Sequence, residues 1–170
     1  HQKKIHRTKE FKSIKINSSL TVNLIPSLGY EKNVSIKRIL DHIILAINLN
    51  KILKKNELQT PNNLVIGFPP IETSFIFLRW ALKNNVNTIL DIKDRWPEVF
   101  IYPFPKYLRF FLRILLQPYF LILRYVINNS NHVTTISNGF RNWIRLFDSS
   151  NDENKNHIIP LTSPEVVINK

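Results

Sequence analysis

The sequence contains no cysteine and no methionine, and only 3 of its 170 residues are glycine. Without cysteine, disulfide bonds, thiolate metal sites and a cysteine nucleophile are excluded. The glycines Gly29, Gly67 and Gly139 stand far apart, which excludes a phosphate loop of the Gly-x-x-x-x-Gly-Lys type. The five histidines are also scattered singly, so no metal site is expected.

The charge balance is strongly basic, with a formal net charge of +12 when histidine is neutral. Such a surface favours an anionic partner: nucleic acid, a nucleotide, a phospholipid headgroup or a phosphorylated substrate. Nucleic acid is the least favoured, because the basic residues are dispersed and no recognised nucleic-acid motif is present. The chain begins at His1 and not at methionine, so we expect a fragment or a processed product. The basic residues at the start are followed by no apolar segment, so no signal peptide is expected there.

Apolar runs alternate with segments of helical periodicity along most of the chain. The runs predict five strands, Leu20–Ile25, Leu64–Phe68, Thr88–Ile92, His132–Ile136 and His157–Leu161. The periodic segments predict four helices, Ile36–Lys55, Glu72–Lys83, Lys106–Ile127 and Gly139–Phe147. Strands that alternate with helices form βαβ units. We therefore predict one doubly wound α/β domain with a parallel sheet covered on both faces.

Polar loops follow the predicted strands. PSLGYEKN follows the first strand, PPIETS the second, KDRWPE the third and SNG the fourth. In open parallel sheets, ligands bind outside the carboxyl ends of the strands. These loops therefore predict a single ligand-binding edge.

Asp91 and Asp94, at the end of the third strand, are candidate catalytic or ligand-binding carboxylates. In the alternative interpretation, Asp94 caps a short helix that contains Trp96, and Asp91 pairs with a neighbouring lysine or arginine. Both interpretations remain open at this stage, because short acidic motifs also occur by chance.

Two strand-to-helix turns are candidate ligand contacts. Pro70 is followed by Glu72 and Thr73 at the start of a helix, where free backbone N–H groups can hold an anion or a sugar hydroxyl. The alternative is plain helix initiation by proline and a capping hydroxyl. Ser137 opens a similar turn after the fourth strand.

The segment from Lys106 to Ile127 is the most apolar part of the chain. Its longest run without charge, Ile114–Leu123, has 10 residues, fewer than the roughly 20 that span a bilayer. Basic residues recur at helical spacing and predict a membrane-facing stripe: Lys106, Arg109, Arg113 and Arg124. Such a helix could lie in an interface with anionic lipid. It could equally be a crossover helix with one exposed face, kinked at Pro118.

Residues 91–98, DIKDRWPE, resemble the D-[IV]-x-D-x-W-P-E signature of bacterial family 4 glycosyltransferases, and are most similar to the amino-sugar transferases among them. YEKNVSIKR at 30–38 is similar to a Y-x-K-N-x-S-x-x-R segment of the same family. Shorter likenesses occur in the same order at residues 6–7, 68–70 and 133–137.

This resemblance implies the N-terminal, acceptor-binding half of a GT-B enzyme. It implies one Rossmann-like domain over residues 1–170, without the family's first strand and its C-terminal donor domain. The intact family transfers a sugar from a nucleotide sugar to a lipid-linked acceptor, in the assembly of surface polysaccharides such as O-antigen and capsule. The reaction takes place at the cytoplasmic face of the membrane without an essential metal.

Because the donor-binding domain is expected outside this chain, we expect no cofactor here and no activity of the chain alone. The resemblance assigns catalysis to Asp91 and Asp94. It assigns acceptor binding to a further set of residues: Tyr30, Asn33, Pro70, Glu72, Thr73, Arg95, Trp96 and Ser137. The alternative function is a non-catalytic basic module that docks on anionic membrane or on a partner subunit.

Overall fold

The computed structural model describes residues 8–31, 35–55, 58–150 and 152–161. The strands are β1 (Lys12–Lys15), β2 (Thr21–Leu24), β3 (Asn63–Phe68), β4 (Asn87–Ile92), β5 (His132–Thr135) and β6 (Asn156–Ile158). The α-helices are α1 (Ile36–Lys54), α2 (Ile71–Lys83), α3 (Lys106–Leu115), α4 (Gln117–Asn129) and α5 (Asn138–Ile144). Short 3-10 turns lie at Glu98–Phe100 and Glu153–Lys155.

Strands β3, β4, β5 and β6 form one parallel sheet in that spatial order. The protein is therefore an α/β domain with a four-stranded parallel sheet flanked by helices, as predicted, and compatible with a Rossmann-like fold. The described strands follow one another in chain order. The reversal of order that defines a doubly wound sheet is thus not present among them.

The core lies between the sheet and the helices α2 and α4. Ile66 of β3 and Leu90 of β4 are opposite one another, and both are buried against Leu78 and Leu123 of the helices. Side chains on strands alternate between faces, so the neighbouring positions point to the other side of the sheet. There Val65 is 64% exposed. The prediction that helices cover both faces is therefore wrong at this strand.

Helix α1 holds the loop that follows β2. Ser35 caps the helix by accepting a hydrogen bond from the Arg38 N–H at 3.2 Å. The Asp41 carboxylate accepts the N–H of Gly29, and the Asn48 amide donates to the Pro26 carbonyl at 2.9 Å. Gly29 has a φ of 74°, a left-handed conformation that suits glycine. These contacts fix the position of the next residue, Tyr30.

The first predicted strand belongs to a different sheet from the one expected. β2 lies within Leu20–Ile25, but it pairs antiparallel with β1 in a two-stranded hairpin. An apolar run shows that a segment is extended, but it does not identify the strand with which that segment pairs.

The predicted helix Lys106–Ile127 is also wrong, since it is two helices. α3 ends at Leu115, α4 begins at Gln117, and the two axes are bent by 65°. Pro118 falls in the first turn of α4, where the N–H that proline lacks has no helical partner to lose. Arg124 is therefore on α4 and does not continue the basic stripe of α3.

Candidate functional site

The loops after β3, β4 and β5 meet at one edge of the sheet, as the parallel strands require. The Lys93 N–H donates to the Phe68 carbonyl at 3.1 Å, which joins the first two loops. The Arg95 guanidinium donates to the Gly139 carbonyl at 3.2 Å and lies 5.5 Å from the Phe140 ring, which joins the second loop to the third. We call this surface the carboxyl edge.

A stack of aromatic and cationic side chains lies at the carboxyl edge between α1 and the loop after β4. The Arg38 guanidinium lies 4.7 Å from the Trp96 ring and 5.3 Å from the Tyr30 ring. The His42 ring lies 5.3 Å from Trp96 and 5.9 Å from Tyr30. Cation–π and ring contacts of this kind hold planar groups in fixed positions.

Glu72 places a carboxylate next to this stack. Its Oε1 accepts the Tyr119 hydroxyl at 2.9 Å, and its Oε2 lies 3.6 Å from Nδ1 of His42. Burial raises the pKa of Tyr119, and the nearby Glu72 charge and hydrogen bond raise it further, so the phenol stays protonated and donates. The carboxylate also lies in the first turn of α2, where the helix dipole favours negative charge.

Three buried polar atoms in this region have no hydrogen-bond partner within the described part of the chain. They are Glu72 Oε2, His42 Nδ1 and Trp96 Nε1. Each such atom costs about 1–3 kcal/mol relative to a satisfied one. A cluster of them in a native fold calls for a functional explanation.

His42 and Tyr119 were not among the predicted site residues, and Arg38 was included only as the last residue of YEKNVSIKR, without a role. Arg38 and His42 are four residues apart on α1 and therefore share one face of that helix, which was the available signal. Tyr119 comes from α4 and gave no signal, because its contact with Glu72 spans 47 positions of sequence.

The two aspartates make local structural contacts. Asp91 accepts the Thr134 hydroxyl at 2.9 Å and pairs with Lys93 at 2.9 Å. Asp94 accepts the N–H of Arg95 at 2.8 Å and so stabilises the turn that follows β4. The pair with Lys93 agrees with the alternative interpretation of Asp91. Asp94, by contrast, does not cap a helix, because the 3-10 turn begins only at Glu98, with Pro97 at its N-cap and no side-chain cap. The catalytic role of the two aspartates stays a prediction.

Trp96 was predicted to bind the acceptor, but its side chain is fully buried. It packs on Phe100 at a ring distance of 4.4 Å, and the side chains of Arg38 and His42 lie against its ring. Its contribution to the site is therefore the placement of those two side chains, and not a direct ligand contact.

The remaining residues that were predicted to contact a ligand lie at the starts of helices or outside the described residues. The Pro70 carbonyl accepts the Thr73 hydroxyl at 3.0 Å, and the exposed Ser137 caps α5 by accepting the Phe140 N–H at 3.4 Å. Ser137 therefore matches the capping alternative for its turn. Helix α2 begins directly after Pro70, as the alternative expects, but it has no side-chain cap. Asn33 lies outside the described residues, as does the His6-Arg7 segment.

Glu98, the last charged residue of DIKDRWPE, has a structural role. Its buried Oε2 accepts both the Tyr102 hydroxyl and the Trp143 indole N–H, each at 3.0 Å. One carboxylate oxygen thus joins the segment before α3 to helix α5.

Helix α3 has no buried residue. Its apolar face is exposed, with Tyr107 at 72% and Phe110 and Phe111 at 66% each. Lys106 and Arg113 are exposed on the basic face.

Arg109, also on the basic face, is only half-buried, and it donates to the carbonyls of Phe104 at 2.8 Å and Tyr102 at 2.9 Å. α4, by contrast, buries Leu123, Val126 and Ile127 in the core and leaves Arg124 exposed. Of the two helices, α3 has the larger exposed apolar surface, because none of its residues is buried in the core.

Within the described ranges, no single helix is both long and apolar enough to cross a membrane, and only the bent pair α3–α4 meets those two conditions, by length and composition alone. No group of three or more potential metal-ligating side chains occurs in the same ranges.

Neither a protein-family model nor a curated protein sequence matches this chain.

Proposed function

We propose that this chain is the acceptor-binding half of a glycosyltransferase whose acceptor is a sugar attached to a membrane lipid. One observation carries the proposal: the domain combines a polar site that has unpaired buried atoms with an exposed amphipathic helix. A substrate with a polar head and a lipid tail needs surfaces of both kinds. The four parallel strands would then be part of a doubly wound, Rossmann-like GT-B domain.

The polar surface is suited to hydroxyl groups. Neutral imidazole offers one donor and one acceptor, and a carboxylate offers only acceptors. A sugar hydroxyl that entered between His42 and Glu72, after a small separation of the two side chains, would satisfy both unpaired atoms. Tyr30 and Arg38 border this position with an aromatic ring and a cation, which is the mixture common in small-molecule sites.

The apolar surface is suited to a membrane interface. An interfacial helix inserts its aromatic and aliphatic face among the headgroups and keeps lysine and arginine close to anionic lipid. α3 has this distribution of side chains, and the net charge of +12 acts in the same direction. For this reason we propose a cytoplasmic protein that is peripheral at the inner face of the cell membrane, where anionic lipid is concentrated.

The transfer reaction itself is proposed from the resemblance of residues 91–98 to family 4 glycosyltransferases. The donor nucleotide sugar would be bound mainly by a domain outside this chain. Asp94, half-buried at the carboxyl edge, would orient the acceptor hydroxyl or accept its proton.

A second candidate function is a non-catalytic module that docks on anionic membrane or on a partner subunit. The exposed α3 favours it, because that helix would bind lipid whether or not the carboxyl edge holds a sugar.

Vesicle co-sedimentation distinguishes the two candidates. The probes are anionic vesicles with and without a sugar joined by diphosphate to a long-chain lipid. We expect tighter binding to vesicles that carry the sugar lipid, and we expect Glu72→Gln to remove that gain, about tenfold in affinity, without removing the binding to plain vesicles. Glu10→Gln, the same change at an exposed carboxylate, is the control. Equal binding to both vesicles would favour the second candidate.

A further inference from the structure

Two histidines from neighbouring strands lie side by side on the parallel sheet. His132 is the first residue of β5, and His157 is the middle residue of β6. Nδ1 of His132 lies 3.3 Å from Nε2 of His157, and the ring centroids are 5.4 Å apart. No spacing in the sequence indicates this pair, because its members are 25 positions apart. Neither histidine is among the residues proposed to bind the acceptor.

The register of the strands explains why the two rings meet. His157 is paired with Thr134, and His132 is two positions before Thr134 on the same strand. Side chains two positions apart on a strand lie on the same face of the sheet. The two imidazoles therefore leave the sheet on one side.

Contacts on both sides of His157 hold the backbone of β6 in place. Before it, the side-chain amide of Asn156 donates to Oδ2 of Asp148 at 2.8 Å. After it, the Ile159 N–H donates to the Thr135 carbonyl at 2.7 Å. Only the two imidazole side chains would therefore have to move when the pair binds a ligand, and ligands placed on fixed strands bind more precisely than ligands on loops.

The distance between the two nitrogen atoms suits a metal ion. An N–H donor usually lies about 2.9–3.0 Å from its acceptor, so 3.3 Å is long for a hydrogen bond. Two imidazole nitrogens on one tetrahedral Zn²⁺, each about 2.0–2.1 Å from the ion, are about 3.3–3.4 Å apart. Neighbouring nitrogens on a square-planar ion are closer, at about 2.8–2.9 Å. The pair thus has the tetrahedral distance.

We propose that His132 and His157 bind one Zn²⁺ ion, through Nδ1 of His132 and Nε2 of His157. After a small rotation of the rings, the ion takes the place of the proton that these nitrogens share, and each ring carries its own proton on its other nitrogen. No third side chain of a metal-ligating type joins the pair within the described ranges, so water completes the tetrahedron. With two protein ligands in place of four, we expect a dissociation constant on the order of 10 µM.

The first test is a calorimetric titration of the whole 170-residue chain with Zn²⁺. His132→Gln and His157→Gln should each weaken binding by more than about tenfold, since even changes outside a ligand set cost about that much. Both side chains are exposed, so the circular dichroism of these variants should be unchanged. His1→Gln with His6→Gln removes two other histidines and is the control, which should bind as the unchanged chain does. Equal binding by all variants, or a loss only in the control, would overturn the proposal.

The second test reads the ligand atoms in the unchanged chain by nitrogen-15 NMR and so does not depend on the folding of any variant. The resonances of Nδ1 of His132 and Nε2 of His157 should move when Zn²⁺ is added, and those of the other two ring nitrogens should move less. Mg²⁺ at the same concentration should move none of them, because it prefers oxygen ligands. Zn²⁺ shifts that are confined to other histidines, or equal shifts with Mg²⁺, would overturn the proposal.

Discussion

Helix α3 permits a quantitative test of membrane binding. Phe110 and Phe111 are each 66% exposed. Removal of a whole phenylalanine side chain from water is worth roughly 1.5–3 kcal/mol, so insertion of these two rings would contribute about 2–4 kcal/mol together. Lys106 and Arg113 would add about 1 kcal/mol each near an anionic surface. The double change Lys106→Gln with Arg113→Gln should therefore weaken binding about thirtyfold at low salt.

The assay is co-sedimentation with neutral and anionic vesicles at low and high salt. The Lys106 and Arg113 change should affect only anionic vesicles at low salt, whereas Phe110→Ala with Phe111→Ala should weaken binding to both lipids. Lys12→Gln with Lys15→Gln removes the same charge from exposed positions of β1 and serves as the control.

Arg109 is left unchanged in this test, because it donates to backbone carbonyls before α3. Binding that ignores lipid charge, salt and both pairs of changes would refute the interfacial role of α3.

Three further predictions concern acidic and phenolic groups. Burial opposes the charge of Asp148, but hydrogen bonds from Asn156 and Ser150 and the charge of Lys155 hold its pKa below the ordinary value. The contribution of this carboxylate to stability is therefore present at neutral pH and is lost as the pH falls through the lowered pKa. In Asp148→Asn, the urea concentration at the unfolding midpoint should decrease less steeply below about pH 4 than in the unchanged protein. The pKa of Tyr119 is raised, so its stabilisation should be lost above about pH 10, where the unfolded phenol ionises first. Tyr119→Phe should remove the last phenol to ionise in an ultraviolet titration and lower the free energy of unfolding by about 1–3 kcal/mol; an unchanged titration would contradict this. In an enzyme that includes a donor domain, Asp94→Ala should reduce turnover far more than the loss of one turn hydrogen bond, about 1 kcal/mol, reduces stability; early melting with normal activity per folded molecule would leave Asp94 only a structural role.

Local patterns of apolar residues were sufficient to predict the strands of the parallel sheet. Thr88–Ile92 was predicted and β4 spans Asn87–Ile92, because from Thr88 onward no side chain of this central strand is exposed, and such a strand is an apolar run that a sequence shows directly. They failed for Leu20–Ile25, whose partner β1 reads KSIK and has no apolar run of its own. They also failed at Leu116, where the chain bends between two segments of similar composition.

The candidate site could be predicted only in outline. Its position at the strand ends followed from the order of strands and helices, and this placed Glu72 correctly. The contacts of His42 and Tyr119 with Glu72 join three different helices, and no spacing within one segment reveals them. The direction of the Trp96 side chain was equally hidden, since a tryptophan at a strand end can point into the core or out of it.

The shared oxygen of Glu98 has a mechanical consequence. Tyr102 stands just before α3 and Trp143 lies on α5, whose first turn begins at Ser137 on the carboxyl edge. If a lipid surface displaces α3, the displacement would therefore pull on the same carboxylate that holds α5. The indole of Trp143 is a built-in fluorophore at this junction, so its emission should register vesicle attachment without any added label.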